Sequence, residues 1–432
     1  MKLTHVFGLG LLQQRILTTP LRFLLTPLRW LYTASVQFRN ILYTRGVIKA
    51  RRLPCRVISV GNIVVGGTGK TPAVIAIAKH LQREGMRVAI LLRGYKRRGG
   101  KKMSYRLMSS LPLREKVTIV SDGEKVCASA IESGDEAQMM ARYLSGVPIL
   151  VGKCRYLAGR VAIERFKVDV LLLDDGFQHR QLARDVDILT IPVTHPFGSP
   201  EKLLPAGTLR EPPSALKRAD LILLTHADIP DVSTHIKKLV KSLAPNALVL
   251  ESIHQPIYCY PLVMEAPAVQ ETFSRQFSAK RFSFNARKHP SKNPLFQPRT
   301  DNREPTTIPP RTDTYDIKAL KGKRVLAVCG IGNPNAFVAT LRRCAVARVE
   351  LLEFPDHHVY TETDKQHIYT AFQETGADLI VTTQKDEQKL ADVVGETGVS
   401  SPYGELPIVV LAVALVITEG DAAFTDVLLG AS

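Results

Sequence analysis

Several things are scarce in this 432-residue sequence, and each scarcity closes a class of function. Cysteine occurs six times (Cys55, Cys127, Cys154, Cys259, Cys329, Cys344), scattered and without a C-x-x-C pair. Neither a zinc site nor a disulfide framework is indicated, and reduced thiols in a cytosolic protein are the plain reading. Aromatic residues make up only 6% of the chain, and no recognition-helix or RNA-binding motif is found, so the net charge of +18 does not point to nucleic acid. Acidic residues are missing from the N-terminal region. The first is Glu84, whereas residues 1–56 carry ten Lys and Arg. A basic leader of this kind suits an anionic surface. Arginines interrupt each of its apolar runs well short of the ~20 residues a membrane span requires. The apolar run at residues 408–417 is also too short, and no small-residue cleavage site marks a signal peptide.

What is present begins with Gly61-Asn-Ile-Val-Val-Gly66-Gly67-Thr68-Gly69-Lys70-Thr71-Pro72. Residues 57–60 before it read as a buried strand, and residues 73–78 after it as a helix opening at Pro72. Strand, glycine-rich turn and helix form the context of a phosphate-binding loop. Small residues let backbone N–H groups point at a triphosphate, and the helix N-terminus adds a favourable dipole. Lys70 would reach the β- and γ-phosphates, and the Thr71 hydroxyl would ligate Mg2+. Val64 stands where the strict pattern has a glycine. The competing reading, a flexible turn with an incidental lysine, leaves Gly-Gly-Thr-Gly-Lys-Thr unexplained.

In the leader, Thr19-Pro-Leu-Arg-Phe-Leu-Leu25 is followed at once by Thr26-Pro-Leu-Arg-Trp-Leu-Tyr32. Arg15, Arg22 and Arg29 therefore recur every seven residues, roughly on one helical face, with the leucines elsewhere. Pro20 and Pro27 are expected to kink the helix. The segment reads as lying in a membrane interface, with Trp30 and Tyr32 at headgroup depth. A helix packed on the following domain is the competing reading.

Further strand signals alternate with helical ones, as in an α/β fold. Residues 87–92 end in the basic loop Arg93-Gly-Tyr95-Lys-Arg-Arg-Gly-Gly-Lys-Lys102, either a hold for an acidic substrate or a solvated charge run. Gly134-Asp135-Glu136 opens an amphipathic helix, as an acidic first turn or as a carboxylate at the sheet's edge. Residues 168–173 run straight into Asp174-Asp175-Gly-Phe-Gln178-His179-Arg180, a strand end where an acidic group of P-loop enzymes helps hold magnesium. Arg210 sits in a loop. At the exit of residues 220–224, Thr225 and His226 replace the first two residues of the GTPase Asn-Lys-x-Asp, so ATP is the expected nucleotide. Residues 266–313 hold seven prolines and nine Lys or Arg and read as a flexible insertion or linker. Beyond them Gly330-x-Gly332 lacks a third glycine and meets Pro334, which excludes a dinucleotide fingerprint. His357 and His358 are a solvated pair, metal ligands, or an acid/base element with Asp356.

Together these segments resemble one family, the tetraacyldisaccharide 4'-kinases, which are the lipid A 4'-kinases of Gram-negative bacteria. The carrying residues are Ser59 through Pro72, Arg93-Gly-Tyr95, Gly134-Asp-Glu136, Asp174-Asp-Gly-Phe-Gln-His-Arg180, Leu204-Pro-Ala-Gly207 with Leu209-Arg-Glu211, Gly330-Ile-Gly-Asn-Pro334, Asp356-His-His358 and Thr382-Thr-Gln-Lys-Asp386, all in family order. The family's loop also lacks the early glycine. Gln384 departs from the family's usual Glu, and the resemblance says nothing of residues 266–313.

The resemblance implies transfer of the ATP γ-phosphoryl group to the 4'-hydroxyl of a tetraacylated glucosamine disaccharide 1-phosphate, giving the bis-phosphorylated lipid A precursor, lipid IVA. It implies ATP and Mg2+ as cofactors and a peripheral enzyme on the cytoplasmic leaflet of the inner membrane. A monomer without nucleic-acid partners is expected. Asp135 would be the base, supported by His357, with the site between domains. Arg210 would stabilise transferring charge, and Asp174 or Asp175 would join Thr71 at the metal. Gly66, Gly67, Thr68, Gly69, Lys70 and Thr71 would cradle ATP, while Arg93, Tyr95, Gln178 and His179 would touch substrate. The expected fold is a P-loop NTPase-type, mainly parallel sheet flanked by helices. Its expected parts are an amphipathic segment (1–50), a kinase domain (51–260), a linker (261–320) and a smaller C-terminal α/β domain (321–432). The alternative is a P-loop ATPase switch of the partitioning type, binding DNA or membrane.

Overall fold

A computed structural model describes residues 25–94, 117–228, 230–262, 314–394 and 406–430. The first part of the leader with Arg15, Arg22 and Pro20, the basic loop from Tyr95, and the 266–313 insertion lie outside the described residues. The chain divides into two compact units.

The larger unit holds described residues 25–253 and 415–430. Its strands are β1 (Arg56–Gly61), β2 (Val88–Leu92), β3 (Thr118–Ser121), β4 (Ile149–Val151), β5 (Val170–Asp174), β6 (Val186–Pro192), β7 (Leu221–Thr225) and the first part of β8 (Leu248–Pro261). They lie in the order β8-β7-β6-β1-β5-β2-β4-β3. All pairs are parallel except β3 with β4. The central strands are mostly apolar and almost wholly buried, as a sheet covered by helices on both faces requires. Strands β2–β5 lie to one side of β1 and β6–β8 to the other, so β1 marks the reversal point beyond whose carboxyl end ligands bind. Val60 of β1 pairs with Asp174 of β5. The glycine-rich turn and the aspartate pair therefore leave the sheet at one level.

The longer helices of this unit are α1 (Thr26–Thr44), α2 (Lys70–Arg83), α3 (Asp135–Tyr143), α4 (Arg155–Phe166) and α5 (Pro230–Leu243), with α9 (Asp421–Leu429) after the smaller unit. Helix α2 opens at Lys70, two residues earlier than the sequence reading placed it, because Gly69 takes a left-handed φ of 80° that L-residues avoid. Pro27 occupies the first turn of α1 rather than kinking it, since a missing N–H costs nothing there.

The smaller unit covers described residues 254–262, 314–394 and 406–414. In it β9 (Tyr315–Asp316) pairs with β8, and β10 (Arg324–Cys329), β11 (Arg348–Glu353), β12 (Leu379–Thr383) and β13 (Ile408–Ile417) follow the parallel order β11-β10-β12-β13. Helices α6 (Pro334–Arg343), α7 (Glu362–Thr375) and α8 (Glu387–Val394) alternate with these strands. The sequence reading carried this domain to residue 432. The structure instead returns the chain to the larger unit within β13. Leu415, Phe424 and Leu428 share a buried cluster with Ile58, Val74 and Ile77, because the apolar face of α9 has its complement there.

Candidate active site

The glycine-rich turn is held from below by a buried polar network. Asn62 Nδ2 donates to Thr68 Oγ1 (2.9 Å), which also bonds Thr190 Oγ1 (2.9 Å). Thr190 Oγ1 reaches the Gly61 carbonyl (3.3 Å), and Thr225 Oγ1 donates to the Thr68 carbonyl (3.1 Å). Three neighbouring strands thus fix one loop, and buried hydroxyls find their partners inside it. Thr225, standing where a GTPase has its base-reading asparagine, instead supports the loop.

The odd Val64 has a structural explanation. Val65 N donates to the Thr208 carbonyl (2.8 Å), Arg210 N donates to the Ile63 carbonyl (2.7 Å), and Val64 bridges Leu209. The start of the loop is extended backbone paired with the segment that carries Arg210, where a glycine turn would give no pairing. Gly61 is required because a Cβ there would stand 2.6 Å from Phe177 Cβ and 2.8 Å from its nitrogen.

Two adjacent aspartates end β5 and are held in opposite states. Asp174 is 3% exposed, and its Oδ1 has no hydrogen-bond partner. Burial, then the charges of Glu136 and Asp175, push its pKa up to about 7 against the pull of Lys70 and Arg155. Burial also pushes Asp175 up, but Lys70 and Arg210 outweigh it and hold this carboxyl below the usual range. Arg210 NH1 donates to both Asp175 oxygens at 2.8 Å, and Lys70 Nζ lies 3.8 Å from Oδ1. Two neighbouring carboxyls pushed apart in this way mark a functional site.

The donor set fits Mg2+, a hard cation that takes one or two carboxylates, keeps several waters and shares phosphate oxygens. Asp174 offers a buried, unpartnered oxygen at the strand end beside the phosphate loop, and Glu136 adds a second carboxylate. Asp135 opens α3 together with Glu136, after Gly134 at φ 89°. The cap residue Gly134 has no side chain to offer, and Asp135 is half-buried in the first turn, where the helix dipole favours negative charge.

Sequence reasoning missed Arg155. It is 2% exposed, and NH2 donates to the Asp174 carbonyl (3.2 Å). Burial lowers its pKa to about 10, so it stays a cation at neutral pH. The available signal was a cation in the first turn of α4, the wrong end for the helix dipole. His179 is pushed down to about 4 by burial, then by Arg155, Arg184 and Arg93, and is neutral at pH 7. Gln178 Nε2 donates to the Asn62 carbonyl (2.8 Å), tying that motif to the loop. Arg93 is exposed, close enough for its charge to act on Arg155 and His179. Tyr95 lies outside the described residues. The larger unit therefore gathers Lys70, Asp174, Asp175 and Arg210, with Glu136 and Arg155.

Helix α1 packs on this unit through Tyr32, Val36 and Asn40, which share a face at four-residue spacing. Tyr32, expected at headgroup depth, instead donates its hydroxyl to the Arg210 carbonyl (3.0 Å). The opposite face leaves Trp30 (64%), Leu31 (71%) and Phe38 (64%) exposed, with Ile41. No helix among the described residues is long and apolar enough to cross a membrane.

In the smaller unit, His357 has a left-handed φ of 62°. Lys385 Nζ donates to Asp356 Oδ1 (2.8 Å) and lies 3.4 Å from His357 Nε2. Burial pushes the Asp356 pKa up, but Lys385 and His357 more than offset it. His358 stacks on Phe354 (4.9 Å) and bonds Asp364 (3.0 Å), a residue of the α7 capping box. Gln384 Oε1 accepts from Val413 N (3.1 Å), a backbone tie.

Comparison with known proteins places these features in context. The family described as tetraacyldisaccharide-1-P 4'-kinase matches residues 21–431. A tetraacyldisaccharide 4'-kinase of Syntrophus aciditrophicus is 38% identical over 383 residues, 86% of this chain and 85% of that one. One from Halothermothrix orenii is 35% identical over 363 residues, 84% and 81% of the two chains. The crystal structure of LpxK from Aquifex aeolicus in complex with ATP superposes with a TM-score of 0.61 at 27% identity, covering 95% of this chain and 99% of that one.

Proposed function

Because this chain belongs to the tetraacyldisaccharide-1-P 4'-kinase family, we propose a residue-level account of how it moves the γ-phosphoryl group of ATP to the 4'-hydroxyl of a tetraacyldisaccharide 1-phosphate. The observation that carries it is the divided aspartate pair beside the phosphate loop. A lone structural turn has no use for one raised and one lowered carboxyl facing Lys70, Arg155 and Arg210.

In this account the backbone N–H groups of residues 66–71 and Lys70 bind the ATP phosphates. Asp174, Glu136 and the Thr71 hydroxyl would hold Mg2+, which neutralises phosphate charge when bound. Asp175 keeps Lys70 and Arg210 aimed at one place, and Arg210 stabilises the equatorial oxygens of the moving phosphoryl group. The 4'-oxygen forms its bond to the γ-phosphorus as the bond to the ADP oxygen breaks, and Asp135 accepts the hydroxyl proton. His357 is the second proposed participant, flanked by Asp356 and Lys385, whereas the partners of His358 suit a structural role. Arg93, Gln178, His179 and Tyr95 are the proposed substrate contacts. A neutral His179 suits hydrogen bonding to sugar hydroxyls.

The lipid acceptor stays in a bilayer, so we assign peripheral binding to the apolar face of α1 on the cytoplasmic leaflet of the inner membrane, where ATP is available. Leu31→Glu with Phe38→Glu is expected to shift the protein from the membrane to the soluble fraction on sedimentation, and unchanged sedimentation would place the anchor elsewhere.

The test of the reaction is incubation with labelled ATP, Mg2+ and the monophosphorylated acyl-disaccharide, followed by thin-layer separation. Label should move to the lipid. ATP turnover without labelled lipid, coupled to salt-sensitive binding of duplex DNA, would instead favour a partitioning-type switch.

A further inference from the structure

Arg210 and Glu211 are adjacent, but their side chains serve opposite sides of one segment. Arg210 turns to Asp175, with both contacts at 2.8 Å. The Glu211 carboxylate is fully buried and turns the other way, accepting Asn40 Nδ2 (2.7 Å) and Arg218 NH1 (2.8 Å) on Oε2 and Arg218 NH2 (3.1 Å) on Oε1. The backbone between them is pinned on both edges, by Arg210 N donating to the Ile63 carbonyl and by Tyr32 OH donating to the Arg210 carbonyl. This segment belongs to no helix or strand and carries only isolated bridges, Val64 with Leu209 and Leu203 with Leu209. Its position therefore depends on these tethers, and two of them come from α1. The same helix also holds Arg180, which donates to the Asn40 carbonyl (2.9 Å) and lies over the Tyr43 ring.

We propose that Tyr32, Asn40 and Glu211 are positioning residues that hold Arg210 toward Asp175 and the phosphate loop. Helix α1 is then part of the phosphoryl-transfer apparatus, and its surface-facing side is coupled through one helix width to the transferring charge. The proposal rests on the role given to Arg210 above. A guanidinium displaced by about 1 Å stabilises the transition state poorly while still binding ground-state phosphate, so the loss falls on kcat.

The test uses the full-length chain with micelle-dispersed lipid substrate and compares Tyr32→Phe, Asn40→Ala and Arg210→Ala with the two doubles, Tyr32→Phe/Arg210→Ala and Asn40→Ala/Arg210→Ala. Tyr32→Phe removes one hydroxyl and keeps the packed ring, and thermal unfolding checks that each variant is folded. Each α1 variant should lower kcat by roughly 3- to 10-fold, with KM for ATP and for lipid within about twofold. In the Arg210→Ala background neither should lower kcat further, because the residue they position is gone. Full additivity in the doubles, or an unchanged kcat in the folded Tyr32→Phe variant, overturns the coupling alone. An unchanged kcat in Arg210→Ala overturns the role of Arg210 itself.

Discussion

The two units use one local plan to opposite ends. Each has a buried parallel strand that exits through glycines into a helix, β1 into α2 and β10 into α6, and each places an aspartate near that exit. In the smaller unit the plan closes on itself. Asn333 caps α6 by accepting from Ala336 N, and Pro334 fills its first turn. Asp386 accepts from Gly330 N (3.0 Å) and Thr383 Oγ1 (2.7 Å), with Lys389 at 3.5 Å. Asp386 Oδ1, like Asp174 Oδ1, has no hydrogen-bond partner, but Lys389 Nζ pairs with it at 3.5 Å; in the larger unit Gly69 at the cap position has no side chain to satisfy the first amides of α2. A capped helix terminus makes structure, and amides left open at one beside charge make a site.

The sharpest way to break this contrast is Asp135→Ala. It is expected to lower kcat by about 10²–10⁴-fold with ATP affinity nearly kept, and full turnover would remove Asp135 from the mechanism. Next comes the pair in the smaller unit. His357→Ala should lower kcat by roughly 10- to 100-fold with little change in thermal stability. His358→Ala should do the reverse, lowering the melting temperature through its lost Phe354 and Asp364 contacts. Equal effects of the two on kcat would refute the division between them.

A smaller effect reads the open oxygen directly. Because the folded pKa of Asp174 is raised, the folded chain binds a proton that the unfolded chain releases. Stability from this group is present below the usual carboxylate range near 4 and is lost as pH rises through about 7. Asp174→Asn should therefore raise the free energy of unfolding at pH 8 by an amount on the order of 1–3 kcal/mol, shrinking toward pH 4, while turnover is lost. A variant no more stable than the parent at pH 8 would show that the carboxylate is not penalised. Smallest of all, Gln384→Glu keeps the acceptor for Val413 N. It should change turnover by less than about twofold and stability by roughly 0.5 kcal/mol at most.

The phosphate loop, the aspartate pair, the 155–166 helix and most strands were legible, because each is a local pattern with its own periodicity. Asn62, Thr190 and Thr225 were not, since a hydroxyl network under a loop exists only once three strands are aligned. The facing of α1 was half legible. Apolar residues surround much of that helix, and only the hydroxyl and amide partners of Tyr32 and Asn40 decide which side docks. The return of residues 415–430 was hidden for a related reason: a short apolar helix does not say which core it completes.

That return has a consequence for how the molecule is made. Arg56, at the root of the strand that feeds the phosphate loop, donates to the Leu428 carbonyl (2.6 Å) across 372 positions of chain. The smaller unit's strands all emerge before α9 does, so the inserted piece can be finished while the nucleotide-binding piece still lacks a wall of its core. A premature stop just after residue 414 would spare the insertion while taking Leu415, Phe424 and Leu428 out of the core that holds Ile58 and Val74, losing the kinase through α9 rather than α1.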